Sequence, residues 1–374
     1  MAERLRNIMS NGAVLIGISL FCCVLIGLMA GLLVLYMINA DNAFEAFSAM
    51  IKNFMFFPQR SLALEYLGST LVKTTPLLMC TLSVIFAYKT GLFNIGASGQ
   101  YAAGAGISLY AALAWGMPWY ACLLLAAVAG AISGALVGML KAYRNVNEVI
   151  AGIMLNWIFA YGINMLLILV KDPATVYTLS LRTNAPGALL PSLGLGTVFS
   201  DNPYVTIAVP LAVLLAVMVH IVMQKTRLGY ELRATGINRQ AAIYAGMNDR
   251  KNIVLTMAIS GGLAALGAAF YYLSGIEQWS CAQSQVPQMG FNGVAAAFLG
   301  ALNPLGAIFS AYLIQHIISG GSYINKLIYC AQISDLITAI IIYVCAFTNP
   351  LKSELKEIGN SIFAGQSPEG GGRK

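Results

Sequence analysis

Charged residues are scarce in this sequence. Asp, Glu, Lys and Arg make up only 9% of its 374 residues, whereas an ordinary soluble domain contains about 25%. Hydrophobic residues make up 59%, and a soluble fold of this size has too little interior to bury them. The composition therefore excludes an ordinary soluble domain and predicts an all-α membrane protein with several transmembrane helices.

Common sequence patterns of catalysis and metal binding are also absent. The sequence has no Gly-x-x-x-x-Gly-Lys-Ser/Thr phosphate loop, no His-Glu-x-x-His motif and no Cys-x-x-Cys spacing. A chain without the phosphate loop is not an ATPase of that mechanism. We therefore expect no catalytic residues, no metal or cofactor bound by this chain, and no disulfide. A membrane-embedded enzyme would need a nucleophile or a metal cluster, and the sequence indicates neither.

Long charge-free runs indicate where the chain crosses the membrane. A helix needs about 20 apolar residues to cross a bilayer core. Two of the runs are about double that length, and each contains a proline near its middle, Pro118 or Pro304, where the chain can turn back. Counting these two runs twice, and adding Tyr66–Tyr88 and Leu336–Thr348 extended backwards over Ile328–Ile333, predicts ten spans. The charge-free runs are Asn7–Ala40, Thr90–Leu140, Val149–Val170, Asn202–Gln224, Asn252–Ile276 and Gln278–Asn325.

The distribution of Lys and Arg predicts the orientation, because cytoplasmic loops are enriched in them. With the N-terminus inside, most basic residues face the cytoplasm, and an even number of spans places the C-terminus inside as well. This bias accounts for the net charge of +7 without a nucleic-acid partner. The transmembrane domain then covers residues 1–352, with outer loops 39–65 and 171–203 and one long cytoplasmic loop, 224–252. Residues 353–374 are predicted to form a flexible cytoplasmic tail. The basic residues expected inside are Arg4, Arg6, Lys89, Lys141, Arg144, Lys225, Arg227, Arg233, Arg239, Arg250, Lys251, Lys352, Lys356, Arg373 and Lys374.

Two glycine- and asparagine-containing segments, Gly91–Ala97 and Gly290–Ala296, occupy matching positions in the two double-length runs. We call these two similar segments the echo segments. Such a repeated pattern predicts two structurally related halves with interrupted helices, as in transporters built from inverted repeats. Small residues four apart also predict close packing between helices rather than self-association. These stripes are Gly27 with Gly31, and Gly130 with Gly134 and Gly138.

The long cytoplasmic loop contains a short helix with recognisable ends. Asn238 is a suitable N-cap, and Gly246 suits the left-handed position after the last turn. A capped helix with small residues on one face could dock in a groove of a soluble partner. A solvated connector helix is the alternative on charge pattern alone.

Five groups of residues, in order along the chain, resemble the permeases of the nucleoside and simple-sugar branch of ABC importers, which are related to the branched-chain amino acid permeases. The groups are Lys73-Thr-Thr-Pro76; Thr90-Gly-Leu-Phe-Asn-Ile-Gly-Ala-Ser-Gly-Gln100; Val146-Asn-Glu-Val149 with Met154-Leu-Asn156; Leu228–Gly246; and Gly290-Phe-Asn-Gly-Val294 with Leu299-Gly300 and Asn303-Pro-Leu-Gly306.

The resemblance implies a transport subunit in a bacterial plasma membrane, in contact with lipid. Its energy would come from ATP hydrolysis by a separate subunit. Its partners would be an ABC ATPase that binds ATP and Mg, a second permease chain, different or identical, and an extracytoplasmic substrate-binding protein. The resemblance also implies a coupling helix that passes ATPase motion to the membrane. We assign that role to Arg233, Gly236, Asn238, Ala241 and Gly246.

Several polar residues in apolar runs are candidates for the substrate path. Asn94 and Gln100 are costly in a membrane unless they face the bundle interior or water, so they line a path or form hydrogen bonds between helices. Asn156 and Trp157 contact a nucleobase or sugar, or they pack helices. Asn292, in the second echo segment, is the fifth candidate.

Other positions leave the cargo and the energy source open. The family pattern has an acid where this chain has Ser98 and an Asp where it has Asn292, so a purine nucleoside, a pyrimidine nucleoside and a sugar all remain candidates. Glu148 is interpreted as the third residue of a helix start at Asn145. Asp335 is the single acid of the last span, which an ion-gradient-driven secondary transporter of a small polar solute would need. That transporter is the alternative function.

Overall fold

A computed structural model describes residues 12–330, 332–345, 347–348, 350–354 and 356–357. Regular structure in the described residues is helical, apart from isolated β-bridges that pair Lys171 with Thr178 and Tyr177 with Ser280. The α-helices are α1 (Gly12–Ile38), α2 (Ala43–Lys52), α3 (Arg60–Lys89), α4 (Ala97–Leu113), α5 (Trp119–Arg144), α6 (Glu148–Leu167), α7 (Leu181–Asn184), α8 (Leu195–Val198), α9 (Ala208–Lys225), α10 (Arg227–Ile237), α11 (Arg239–Tyr244), α12 (Asp249–Tyr272), α13 (Met289–Leu299), α14 (Pro304–Gly321) and α15 (Ile333–Cys345).

Each of the ten predicted spans contains one long or medium-length helix. Six described helices are long and apolar enough to cross a membrane. They are Gly17–Ile38 within α1, α3, α5, α6 together with the 3-10 turn that follows it (Glu148–Val170), α9 and α12. The helix α13 is shorter, at 11 residues, and rises only about 16 Å at 1.5 Å per residue. The all-helical membrane architecture is therefore confirmed, while the count of ten spans and the orientation stay predictions.

Both double-length runs break where the prolines predict. Pro118 is the N-cap of α5, and Pro304 is the first residue of α14. The backward extension of the last span is wrong, because α15 begins at Ile333. The Asn325 side chain accepts from the backbone N–H of Leu327 at 3.0 Å, so the chain turns there instead of continuing as a helix.

The start of α6 lies two residues later than the predicted cap. Asn145 adopts a left-handed conformation, with φ of 52°, and ends α5. Asn147 is the N-cap of α6, and its side chain accepts from the N–H groups of Val149 and Ile150. The predicted role of Glu148 as the third helical residue is therefore wrong. Its carboxylate instead lies 2.8 Å from Lys141 Nζ, in an ion pair that joins α5 to α6.

The predicted outer loop 39–65 is largely helical. It contains α2, a 3-10 helix at Asn53–Phe56, and the first turns of α3. The buried residues of α2 recur at helical spacing, which is why this short segment forms an amphipathic helix. They are Ala43, Ala46, Ala49 and Met50.

The chain forms two compact units, one of Met1–Ile51 with Gly320–Lys374 and one of Lys52–Ser319. In the first, α15 packs on α1, where Ile337 and Ile341 lie against the predicted stripe of Gly27 and Gly31. In the second, α5 packs on α12 through the other stripe, with Gly130 and Gly134 against the backbone of Gly261 and Met257. The predicted role of both stripes in helix packing is confirmed.

Parts of three predictions fall outside the described residues. They are the first residues of the span Asn7–Ala40, the terminal basic residues used for orientation, and the tail, of which positions 355 and 358–374 are not described.

Candidate functional site

Two regions of the larger unit carry the predicted functional residues. The first is the segment 224–252, which we call the coupling segment after its predicted role. The second is a cluster of buried polar side chains where the irregular chain 90–96 leads into α4. We describe each region from its local structure upwards.

Side chains cap each helix of the coupling segment. The Thr226 side chain accepts from Gly229 N–H at 3.1 Å, Asn238 accepts from Ala241 N–H at 3.0 Å, and Asn248 accepts from Lys251 N–H at 3.0 Å. Each bond satisfies a backbone donor that a helix start leaves unpaired. The predicted N-cap at Asn238 is confirmed.

The end of α11 also follows the sequence prediction. Gly246 has a φ of +81°, which a residue without a Cβ adopts at little cost. Its N–H donates to Ile243 O at 2.9 Å, and the N–H of Met247 donates to Ala242 O at 3.0 Å. This pattern ends the helix sharply and turns the chain towards α12.

A groove of about 430 Å³ runs between α10 and α11. Its rim carries large exposed apolar side chains, with Ile237 87% and Tyr230 61% accessible. Arg233 lies in the same groove, where its Nε donates to Gly229 O at 3.3 Å. An apolar depression with a fixed guanidinium is chemically suited to another protein's helix. The lining residues other than these three are Ala234, Asn238, Ala241, Ala242, Ala245 and Met247.

The opposite side of α10 touches the chain that follows α3. A Cβ built on Gly236 would lie 2.5 Å from the carbonyl carbon of Thr90 and 2.7 Å from the nitrogen of Gly91. The two backbones are therefore in direct contact, with no side chain between them. Asn252 at the start of α12 strengthens this attachment, since its Nδ2 donates to Thr235 Oγ1 at 2.9 Å in the interior.

Asn94 lies at the centre of the buried polar cluster. It is fully buried, and its Nδ2 lies 2.7 Å from Gln100 Oε1, 2.7 Å from Ser260 Oγ and 3.1 Å from Ser83 Oγ. Gln100 Nε2 returns a bond to Asn94 Oδ1 at 3.2 Å. These contacts join α3, α4 and α12 to the irregular chain 90–96. Buried polar groups of this kind hold an arrangement only while each keeps its partners.

Asn156 ties α6 to the start of α4. Its Oδ1 accepts from the N–H of Gly99 at 2.7 Å, and its Nδ2 donates to Ile95 O at 3.0 Å. The structure thus brings the Asn156 side chain against the stretch 94–100, which contains Asn94 and Gln100.

The other two candidates for the path, Trp157 and Asn292, are more exposed than the residues of this cluster. The Trp157 side chain is 43% accessible and stacks on Tyr161, with ring centroids 5.8 Å apart. Asn292 is half-buried in the first turn of α13. The neighbouring Gly290 lies in close contact with Ser98, the residue that follows the first echo segment, so the starts of α4 and α13 meet.

Sequence reasoning missed several residues of both regions. Ser83 and Ser260 complete the cluster around Asn94 but come from helices distant in sequence. Tyr230 and Ile237 form the rim of the groove, and the signal that could have found them is their position as large apolar residues in an otherwise charged loop. Asp335 lies in the first turn of α15, where the helix dipole favours an acid.

Comparison with known proteins identifies the family. The sequence pattern described as "Branched-chain amino acid transport system / permease component" matches residues 66–346. The chain belongs to this family of ABC transporter permeases and is a multi-pass membrane protein.

Three relatives show the extent of the similarity. The guanosine ABC transporter permease protein NupP of Bacillus subtilis is 32% identical over 85% of this chain and 90% of its own length. The nucleoside ABC transporter permease protein NupB of Lactococcus lactis is 32% identical over 75% and 79%. A glucose ABC transporter permease protein of Haloferax volcanii is 30% identical over 69% and 70%. No solved structure is a significant match.

Proposed function

We propose that this chain is the permease subunit of an ABC importer for a nucleoside, and that it couples to a separate ATPase through α10 and α11. The observation that carries this proposal is the groove of the coupling segment, which holds Arg233, Asn238 and Ala241 on an exposed face. The back of the same segment lies against Thr90 and Gly91. A partner that binds the groove would therefore act on the chain that leads to Asn94.

The relatives support the nature of the cargo. Two of those described above are named for nucleosides or guanosine, and both cover more of this chain than the relative named for glucose. A simple sugar is the second candidate on the strength of that third relative. An ion-gradient-driven mechanism has no such support, because the family is that of ABC permeases and Asp335 lies in the first turn of α15, where the helix dipole favours an acid.

The buried cluster is proposed as the closed constriction of the path. Asn94, Gln100 and Asn156 satisfy one another and the backbone of 94–100 in the described arrangement. Because separation of these groups would expose both donors and acceptors, the same residues would offer hydrogen bonds to a passing polar solute. Trp157 and Asn292 are proposed to line the path on either side of this constriction.

The remaining partners follow from the same proposal. Exposed apolar residues of α6 would face the second permease chain or lipid, and the outer loops 39–65 and 171–203 would receive the solute from an extracytoplasmic binding protein. Ten spans, two related halves, and both termini in the cytoplasm complete the proposed topology. The exposed residues of α6 other than Trp157 include Met154, Ile158, Tyr161 and Met165.

The coupling proposal is tested by reversing one charge in the groove. Arg233→Glu should abolish ATP-dependent nucleoside uptake and release the ATPase during purification, at unchanged abundance of the chain in the membrane. Arg227→Glu is the matched control, since Arg227 belongs to the same helix but lies outside the groove lining and is 93% exposed in a surface ion pair, which contributes little. Wild-type uptake and retained ATPase in Arg233→Glu would refute the coupling role.

A further inference from the structure

A second cavity, of about 380 Å³, lies in the loop between α12 and α13 and is lined by residues 282–288. Gln283, Gln285 and Gln288 are among these residues, and none of the lining residues is charged. Small-molecule sites typically measure about 300–1,000 Å³, so the cavity has a suitable size for one small solute. Its walls offer amide groups and no countercharge.

Hydrogen bonds anchor the N-terminal part of the loop. Asn164 of α6 donates from Nδ2 to Gln283 O at 2.7 Å, and its Oδ1 accepts from Trp279 Nε1 at 2.8 Å. The N–H of Cys281 donates to Val176 O at 2.9 Å. A side chain of one helix and the backbone of a second loop therefore hold the cavity wall in place.

One amide of the wall has an unused donor. Gln283 Nε2 is shielded from solvent and has no hydrogen-bond acceptor among the described residues. A buried donor without a partner is unfavourable, so rotation of this side chain towards a bound acceptor would remove a cost already present. The cavity also ends at the first turn of α13, where backbone N–H groups lack acceptors within the helix.

The geometry points to this cavity as a recognition site for the nucleobase of an uncharged nucleoside, with the glutamine amides pairing with the edge of the base. This inference rests on the proposed transport function. A glutamine amide presents a donor and an acceptor side by side, which matches the paired groups on a base edge. A nucleotide or an amino acid would lose the hydration of its charges without gaining an opposite charge, so the uncharged wall favours a neutral solute.

The test uses the complete transporter, with its ATPase, second permease chain and binding protein, in proteoliposomes. Initial rates of ATP-dependent uptake are measured separately for guanosine, uridine and glucose. The variants are Gln283→Leu, Gln285→Leu and Gln288→Leu, and the last two alter exposed side chains that the fold does not need. Gln332→Leu is the matched control, since Gln332 is exposed and lies outside the cavity.

We expect the ratio of guanosine to uridine uptake to change by about two- to tenfold in the cavity variants, which corresponds to one or two neutral hydrogen bonds. The control should keep the wild-type ratio. A purely structural role would lower both rates by the same factor, and that result overturns the inference, as would unchanged ratios in all three variants. If the wild-type transporter moves none of the three solutes, the proposed function itself fails. Wild-type uptake of glucose alone would overturn the nucleobase assignment.

Discussion

The contact between Gly236 and the Thr90–Gly91 backbone predicts a strong effect from one added methyl group. A Cβ at position 236 would lie 2.5 Å from the Thr90 carbonyl carbon, whereas non-bonded carbon atoms normally lie about 3.5–4.0 Å apart. The two segments would have to separate by about 1 Å, because neither backbone can rotate out of the way. Such overpacking costs about 1–3 kcal/mol, partly offset by the gain of about 1 kcal/mol when Ala replaces Gly in a helix.

We therefore expect Gly236→Ala to lower the free energy of unfolding by up to about 2 kcal/mol and to reduce uptake more than this loss of stability explains. Thermal unfolding of the purified chain in detergent and ATP-dependent nucleoside uptake, normalised to membrane abundance, are the two measurements. Gly17→Ala is the control, because no heavy atom lies within 4 Å of the added group there. Gly91→Ala should be more harmful than Gly236→Ala, since Gly91 also has a φ of +75°. Wild-type melting and uptake in Gly236→Ala would show that the contact does not transmit motion.

Three further predictions concern the cap, the cluster and the topology. Asn238→Ala removes the cap of α11 and should destabilise the coupling segment by about 1 kcal/mol, seen as faster proteolysis of that segment, whereas Asn238→Ser should retain most of the protection. Asn94→Leu should lower the melting temperature sharply, because each partner left unpaired in the interior costs about 1–3 kcal/mol; an unchanged melting temperature would contradict the cluster. Cysteines introduced at Gln240 and Asn184 should react with an impermeant thiol reagent from inside and outside the cell respectively, and labelling of position 240 from outside would overturn the orientation.

The positions of the helices were predictable where composition or a single residue determines the local structure. Charge-free runs indicated the apolar helices, and Pro118 and Pro304 indicated the breaks, because proline at a helix start has no intrahelical bond to lose. The ends of α11 were predictable for the same reason, since Asn238 and Gly246 act on the backbone next to them. Local chemistry of this kind can be read from adjacent residues.

The arrangement of side chains was less predictable. Ser83 and Ser260, 177 positions apart, lie 2.9 Å from each other beside Asn94, and sequence spacing carries no signal for such a contact. The start of α6 was misplaced because Asn145 and Asn147 are both suitable helix-end residues. Only the left-handed backbone at Asn145 decides that it ends α5.

The three capped helix starts at Thr226, Asn238 and Asn248 give the coupling segment a mechanical property. Each cap satisfies a backbone donor at a helix start, so the caps oppose fraying of the segment. If a partner binds the groove as proposed, a displacement there would reach Gly91 through the backbone contact at Gly236. Two backbones meet at this point with no side chain between them, so rotation of a side chain could not absorb the movement.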